Sequence, residues 1–209
     1  MTEKQLMDRV FRNQSYHLTS PFNLKRVHPV TGEIRPHWGN DYGTYGVLCP
    51  LYSPIWGKVV RSEYYGERGN FVEIKCKYGS ALLQHLQYRS VKVGQYVHQK
   101  VRIGGMGNTG LSSAAHLHIE FYDDNHNHIS PAEFFAMYKD PIFPKYEVFG
   151  VGSSFLNIRN KPGIAGKIVD RIKNGATVTV YWTSETKWKR VAWTKASYCS
   201  PKYLRRKSA

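Results

Sequence analysis

Three features are scarce or missing in this chain of 209 residues. Acidic residues are few, 15 Asp+Glu against 30 Lys+Arg, which gives a formal net charge of +15. No stretch approaches the roughly 18 consecutive apolar residues of a membrane span, so the sequence predicts no transmembrane helix. The cysteines, Cys49, Cys76 and Cys199, are odd in number and widely spaced, which excludes a disulfide framework.

The excess of positive charge has several physical readings. It is either a solvated basic face or a surface that attracts nucleic acid, a membrane or an anionic polymer. The chain has no long basic run, no zinc-finger spacing and no phosphate-binding loop, so we expect no nucleic-acid partner. Residues 146–209 contain 13 Lys+Arg and 3 Asp+Glu, so most of the net charge belongs to the C-terminal part.

Histidines recur in three short segments that follow one another in a fixed order. These are His37-Trp38-Gly39-Asn40-Asp41, then Gln84-His85-Leu86, then His116-Leu117-His118 after a glycine-rich run at 104–110. Together they supply two or three imidazole ligands, one carboxylate and spare histidines for proton transfer. A catalytic zinc site needs this set, since three protein ligands hold the ion and a fourth position stays open for water.

The local pattern indicates how these side chains are presented. The segment His116–Phe121 alternates polar and apolar residues, which predicts a β-strand with His116 and His118 on one face. The spacing of His37 and Asp41 suits a helix, but Pro36 and Gly39 oppose one, so we expect a turn that directs both side chains to one point. His85 is expected at the end of a strand near the same cleft.

Each residue also has an ordinary structural explanation. The chain has nine histidines, and an isolated histidine is more often a surface or satisfied core residue than a metal ligand. The segment His126-Asn127-His128 has ligand-like spacing but lies among polar turn residues, so we expect a solvated loop there. A cysteine nucleophile would need a Cys–His pair, which spacing alone neither shows nor excludes. Trp38, Tyr42 and Tyr45 either line a groove or simply pack.

The ordered motifs, taken together, resemble the lysostaphin/LytM-type zinc endopeptidases of bacterial cell walls. The segments 22–32, 52–60 and 93–104 are similar to the family's flanking segments, so the resemblance covers residues 18–135, although Ala115 replaces a common proline. It implies that one Zn²⁺ is held by His37, Asp41 and His118. It also implies that the catalytic residues His85 and His116 flank the bound water and the scissile carbonyl, and it leaves open which of them is the general base.

The sequence pattern changes near residue 140. Residues 130–138 predict a short helix with proline at its start, and residues 139–145 contain two prolines and predict a linker. Short alternating runs follow, which predict a small β-barrel. The segments 156–162 and 172–178 are similar to bacterial SH3-like wall-binding domains, although the usual Gly-Trp-Val near the end is absent. The aromatic residues of this part either stack on a wall ligand or lie in the core: Tyr146, Tyr181, Trp182 and Trp193.

The resemblance implies a mainly β protein in two parts. An antiparallel β-sheet zinc endopeptidase domain is expected at 1–138, a linker at 139–145 and an SH3-like cell-wall-binding β-barrel at 146–209. The expected activity is peptidoglycan hydrolysis at a peptide bond of the stem peptide or cross-bridge. Anionic envelope polymers are further expected partners, and the chain is expected to be a monomer.

The biological setting follows from the same reasoning. Residues 1–9 contain no apolar core of a signal peptide, so we expect synthesis in the cytoplasm without a standard export signal. With a targeting module, this predicts a phage endolysin that acts on the wall after release during host lysis. The alternatives are a secreted bacteriocin-like lysin, a non-catalytic wall-binding or activator protein, and a nucleic-acid-binding protein, which would explain the charge but not the histidines.

Overall fold

The computed structural model describes residues 1–183, 187–191 and 197–207. The chain divides into two compact units, Met1–Asp140 and Pro141–Ala209. Both units are built mainly from antiparallel strands, which confirms the predicted fold class. No helix within the described residues is long and apolar enough to cross a membrane.

The first unit contains two α-helices and thirteen strands among the described residues. In chain order these are α1 (Glu3–Phe11), β1 (His17–Ser20), β2 (Asn23–Val27), β3 (Ile34–His37), β4 (Gly39–Gly43), β5 (Pro50–Tyr52), β6 (Gly57–Tyr65), β7 (Gly69–Cys76), β8 (Gly79–Leu86), β9 (Tyr88–Arg89), β10 (Tyr96–Val97), β11 (Arg102–Gly105), β12 (Leu117–Tyr122), β13 (His128–Ile129) and α2 (Pro131–Met137).

The central element is a sheet with strand order β1-β4-β12-β8-β7-β6-β10, in which β13 also pairs with β12. In the middle of this sheet, His118 on β12 lies opposite Asp41 on β4 and opposite Gln84 on β8. Two smaller sheets accompany it, β5-β11-β9 and the hairpin β2-β3. The register therefore sets the chemistry-bearing side chains on three adjacent strands.

Strand β12 shows the alternation that its sequence predicts. Leu117, Ile119 and Phe121 are fully buried in the main hydrophobic core. His118 and Glu120 alternate with them and point to the opposite face of the sheet, because successive strand residues face opposite sides. One face of β12 thus anchors the sheet while the other carries functional groups.

Two capped helices complete the first unit. Thr2 and Gln5 form a capping box that starts α1, and Ser130 and Glu133 form one that starts α2. α2 confirms the predicted proline-initiated helix, whereas α1 was not predicted. The buried residues of α1 join the core that α2 also packs against: Leu6, Met7, Val10 and Phe11.

The second unit forms two antiparallel sheets over a separate core. Its strands are β14 (Lys145–Val148), β15 (Phe155–Arg159), β16 (Ile168–Lys173), β17 (Thr177–Thr179), β18 (Trp182–Thr183), β19 (Lys189–Arg190), β20 (Tyr198–Cys199) and β21 (Leu204–Arg206). The strand orders are β17-β14-β21 and β16-β15-β20-β19-β18. The buried residues of this core are Val148, Leu156, Ile158, Val178, Val180, Cys199 and Leu204.

The aromatic residues singled out in the second unit have different surroundings. Tyr146 is half-buried and packs against the core of the unit. Tyr181 makes an edge-on contact with Phe143 at a ring-centroid distance of 4.8 Å. Trp193 and the side chain of Trp182 lie outside the described part of the structure. Tyr146 therefore fits the core interpretation.

Candidate metal centre

Three buried side chains converge on one point of the main sheet. His37 Nε2 lies 3.1 Å from Asp41 Oδ1, and His118 Nδ1 lies 2.7 Å from the same oxygen. The two imidazole nitrogens are 3.1 Å apart. Among the described residues, this is the one group of three or more metal-binding side chains that could hold an ion.

The local structure of the first motif differs from the expected turn. His37 ends β3 and Asp41 lies inside β4, with a break in strand structure at Trp38. The two side chains meet because the chain passes from β3 to β4 at Trp38, without a turn that reverses the chain direction. The turn prediction was wrong, since pairing of β4 with β12 and β1 holds this segment extended.

Hydrogen bonds fix which nitrogen of each imidazole carries the hydrogen. His37 Nδ1 lies 2.8 Å from the Pro21 carbonyl, and His118 Nε2 lies 3.2 Å from Glu120 Oε1. These oxygens only accept, so each of these ring nitrogens donates. In the neutral form that metal ligation requires, the opposite nitrogens, His37 Nε2 and His118 Nδ1, are then lone-pair donors that face Asp41.

This arrangement fits a zinc ion. Three electron-pair donors face one another at 2.7 to 3.1 Å, which is unfavourable unless a cation or a proton lies between them. A tetrahedral zinc with bond lengths of about 2.0–2.1 Å separates its ligands by about 3.3 Å, close to these distances. Two imidazoles, one carboxylate and a free fourth position are a common catalytic zinc set.

The electrostatics of the three residues agree with this fit. Burial acts to raise the pKa of Asp41, but hydrogen bonds from His116, His118 and His37 outweigh it and hold this pKa well below its usual range. Burial acts to lower the pKa of His118, whereas the hydrogen bonds to Asp41 and Glu120 raise it to about 9. The cluster therefore keeps an ionised carboxylate and attracts positive charge.

Glu120 lies directly behind the cluster, next to His118. It accepts hydrogen bonds from His118 Nε2, from Gln84 Nε2 at 2.6 Å, from the Tyr122 hydroxyl and from His128 Nε2 at 3.2 Å. Burial acts against its charge, yet these donors hold its pKa well below the usual range. A carboxylate behind a ligand histidine fixes the ring and makes it a better donor to metal.

His85 and His116 form a second pair beside the three converging residues. His85 Nδ1 donates to the Thr109 carbonyl and His116 Nδ1 to the Ala114 carbonyl, each over 2.8 Å. The ring centroids are 4.8 Å apart, and His116 Nε2 lies 3.4 Å from Asp41 Oδ1. In the neutral form of either ring, Nε2 is therefore the nitrogen that can accept a proton.

The two histidines differ in environment. Burial lowers the pKa of His85 to about 4, and the hydrogen bond to Thr109 opposes this only in part. The side chain of His116 is 16% exposed. His85 has a positive φ of 58°, so the end of β8 adopts a left-handed conformation that a non-glycine residue rarely takes. Such strain is common at functional sites.

All five predicted site residues line one cleft of about 660 Å³. Trp38 also lines it, whereas Tyr42 is buried in the core and Tyr45 lies outside it. His126 is largely exposed, but His128 is half-buried and stacks on Trp38 at a ring-centroid distance of 4.4 Å. The solvated-loop prediction was wrong for His128, because it donates to Glu120.

Sequence reasoning missed three contributors to the site. Glu120 continues the alternation of His116 and His118, so its position on the same face was available from the sequence. Gly39 packs so closely that a Cβ would lie 2.3 Å from the Ile119 carbonyl oxygen and 2.9 Å from His118 Nε2. The third contributor is Arg26, whose Nη1 lies 3.8 Å from Asp41 Oδ2 and which no local pattern reveals.

The cysteines offer no competing nucleophile. They are free thiols, and burial raises the pKa of each of them, to about 12 for Cys199. A raised pKa opposes the thiolate form that nucleophilic catalysis requires. The imidazole and carboxylate cluster is thus the chemically competent group of the described residues.

Comparison with known families agrees with this geometry. The model of peptidase family M23 matches residues 35–131, which contain the five clustered residues. Residues 35–131 are an M23 peptidase domain. A bacterial SH3 domain follows at residues 154–205. The M23 domain includes both strand segments of the first motif and the whole of β12.

Relatives and solved structures resemble the M23 domain. The peptidoglycan DD-endopeptidase ShyC of Vibrio cholerae is 43% identical over 110 residues, which are 50% of this chain and 24% of that protein. A crystal structure of a zinc-containing peptidase from Vibrio cholerae has 33% identity and a TM-score of 0.52, and it covers 64% of this chain and 40% of that one. The chain therefore spans about a quarter of the length of ShyC.

The fold also occurs in a different setting. The structure of the SpoIIQ–SpoIIIAH pore-forming complex matches with a TM-score of 0.53 and 23% identity, over 60% of this chain and 87% of that one. At this identity the likeness shows the fold alone. Function must be argued from the site, because one fold can serve several functions.

Proposed function

We propose that this protein is a zinc-dependent peptidoglycan endopeptidase. The observation that carries the proposal is the convergence of three lone-pair donors in a cleft with two further histidines. We assign His37, Asp41 and His118 as ligands of one zinc ion. A zinc ion held there would supply a Lewis acid that polarises the scissile carbonyl and lowers the pKa of water to about 7.

The remaining steps are assigned to the chain's own residues. His85, whose low pKa keeps Nε2 unprotonated near neutral pH, accepts the proton of the attacking water and passes it to the leaving amine. His116 Nε2 lies on the side of Asp41 and, when protonated, donates to the oxyanion of the tetrahedral intermediate. The Thr109 and Ala114 carbonyls hold these two rings in orientation.

The substrate class rests on both domains. ShyC and ShyB, a second Vibrio cholerae relative with 38% identity over 116 residues, are named peptidoglycan DD-endopeptidases. A bacterial SH3 domain accompanies the M23 domain in this chain, and residues 146–209 are strongly basic. We infer that this domain binds the cell wall and raises the local concentration of the catalytic site there.

The test of the catalytic proposal compares single variants on purified peptidoglycan. New amino termini are counted by mass spectrometry, and bound zinc is measured separately. We expect His118→Ala to lose both zinc and cleavage. We expect His85→Ala and His116→Ala to keep one zinc per chain while turnover falls by about 10²- to 10⁴-fold. His126→Ala is the matched control, because His126 is largely exposed and outside the cleft.

Two results would contradict the catalytic proposal. Full activity of His85→Ala would remove that residue from catalysis. A zinc-loaded wild type that cleaves no peptidoglycan of any cross-link chemistry would indicate a non-catalytic wall-binding or activator protein instead. Removal of zinc with a chelator should stop cleavage, and added zinc should restore it.

The role of the second domain is tested with a chain that ends at Asp140, the boundary of the first compact unit. This variant should cleave soluble wall fragments at a rate similar to that of the full chain but bind whole walls at least about tenfold more weakly. Unchanged wall binding would refute the targeting role.

We further propose that the enzyme acts as a phage endolysin, a hydrolase that reaches the wall after release from the host cytoplasm. The combination of a hydrolase domain with a small basic domain supports this setting. Expression in a bacterial host should cause lysis only when a membrane pore is opened as well. Lysis without a pore would favour a secreted lysin.

A further inference from the structure

The hairpin β2-β3 forms one wall of the active-site cleft and carries two opposed arginines. Arg26 and Arg35 are direct cross-strand partners, and both line the cleft. Like charges at opposite positions of an antiparallel pair are unfavourable, so each guanidinium needs a nearby anion.

Only one of these two arginines has a full ion pair within the described structure. Arg35 Nη1 lies 3.1 Å from Glu67 Oε2. Arg26 Nη1 donates to the Ser20 hydroxyl at 2.6 Å, and the carboxylate that it faces, Asp41, is 3.8 Å away and so beyond hydrogen-bond distance. Arg26 is thus held in place by a neutral group beside a carboxylate that it does not bind directly.

The proposed metal ligation makes the charge around Arg26 more positive. Asp41 Oδ1 faces the two ligand imidazoles, so its charge is committed to the zinc position. Zinc, Asp41 and Arg26 together then carry roughly two positive charges. The Arg26 side chain is only 22% exposed, which weakens screening by water. A planar guanidinium in such a place is suited to a carboxylate, which it can bind through two parallel hydrogen bonds.

We propose that Arg26 is a specificity-determining residue that binds a free carboxylate of the substrate next to the scissile amide. This inference rests on the proposed endopeptidase function. The guanidinium lies 3.8 Å from an oxygen of Asp41, which is a proposed zinc ligand and so lies beside the bond to be cleaved. This distance is close to the length of one extended residue, about 3.3–3.6 Å. The carboxylate that Arg26 binds therefore belongs to a substrate residue adjoining the cleaved bond. Cross-links with such a carboxylate are therefore preferred over glycine bridges, which have none.

The test uses two peptides that differ only in having a carboxylate or a carboxamide on the residue beside the scissile bond. Wild type should favour the carboxylate peptide by about 10- to 100-fold in kcat/KM, the size expected for a hydrogen-bonded charge pair. Arg26→Gln should reduce this preference to about threefold or less, through a higher KM for the carboxylate peptide. Arg26→Lys, which keeps the charge without the planar fork, should give an intermediate preference.

Arg35→Gln serves as the matched control, because it removes the same charge from the opposite hairpin position. It should keep the preference. Zinc affinity of the Arg26 variants, measured by competition with a chelating dye, should match wild type. Thermal melting checks that each variant is folded.

Three results would overturn the assignment. Equal losses on both peptides, together with weaker zinc binding, would mean that Arg26 only positions Asp41. A preference that survives Arg26→Gln, or one that Arg35→Gln also removes, would place the discrimination elsewhere. If wild type cleaves neither peptide, the proposed function fails, and equilibrium binding of the two peptides then decides the role of Arg26: a carboxylate preference that Arg26→Gln removes supports it, and its absence refutes it.

Discussion

Replacing Glu120 with glutamine tests how the carboxylate behind His118 supports the proposed zinc site. The change keeps the side-chain shape but removes the charge that accepts hydrogen bonds from His118, His128, Tyr122 and Gln84. The amide nitrogen of glutamine cannot accept, so at least one of these donors loses its partner. We expect His118 to become a weaker and less well oriented ligand.

The size of the effect follows from two independent considerations. Loss of an outer-shell partner of a metal-binding histidine typically weakens metal affinity about 10- to 100-fold. This corresponds to about 1.4–2.7 kcal/mol. A hydrogen bond to a charged group contributes about 1.5–3 kcal/mol, which is the same range.

The assay is competition for zinc between the protein and a chelating dye. Glu73→Gln is the control, since Glu73 is a second buried glutamate and accepts a hydrogen bond from Ser80 at 2.6 Å but contacts none of the three proposed ligands. Glu73→Gln should leave zinc affinity within about twofold of wild type. A folded Glu120→Gln variant with unchanged zinc affinity would refute the reasoning.

Two further predictions concern the backbone and the pH dependence of the site. Gly39→Ala should destabilise the fold by about 1–3 kcal/mol and weaken zinc binding, because the new Cβ would overlap the Ile119 carbonyl. Gly43→Ala on the same strand is the control, since the closest contacts of its Cβ would be side chains at 3.0 Å or more. A thermal melt should show a smaller loss of stability for Gly43→Ala than for Gly39→Ala. His85 should titrate near pH 4 by NMR, since burial lowers its pKa, and bound zinc shifts it in the same direction. Between pH 6.5 and 4 the unfolded chain binds more protons at His85 than the folded chain does, so the folding stability decreases as the pH is lowered through this window. His85→Gln should reduce this loss of stability. A His85 pKa at or above 6.5 would contradict the prediction.

Several parts of the fold and site follow from local sequence alone. The alternation from His116 to Phe121 is a period-2 pattern, so it predicts both the strand and the shared face of its two histidines. Proline at the start of α2 and the short alternating runs after residue 145 likewise predict elements that the structure contains. The ordered motifs also indicated the chemistry, because ligand type and spacing are properties of the sequence itself.

The meeting of the motifs was decided only by tertiary structure. His37 and Asp41 reach His118 across separations of 81 and 77 residues, through a strand register that no local pattern specifies. Tertiary packing likewise sets Arg26, on the separate β2-β3 hairpin, beside Asp41. Helix α1 was missed because burial against distant strands, and not an apolar run, stabilises it. Local periodicity therefore determined which side chains are presented, and long-range strand pairing determined what they meet.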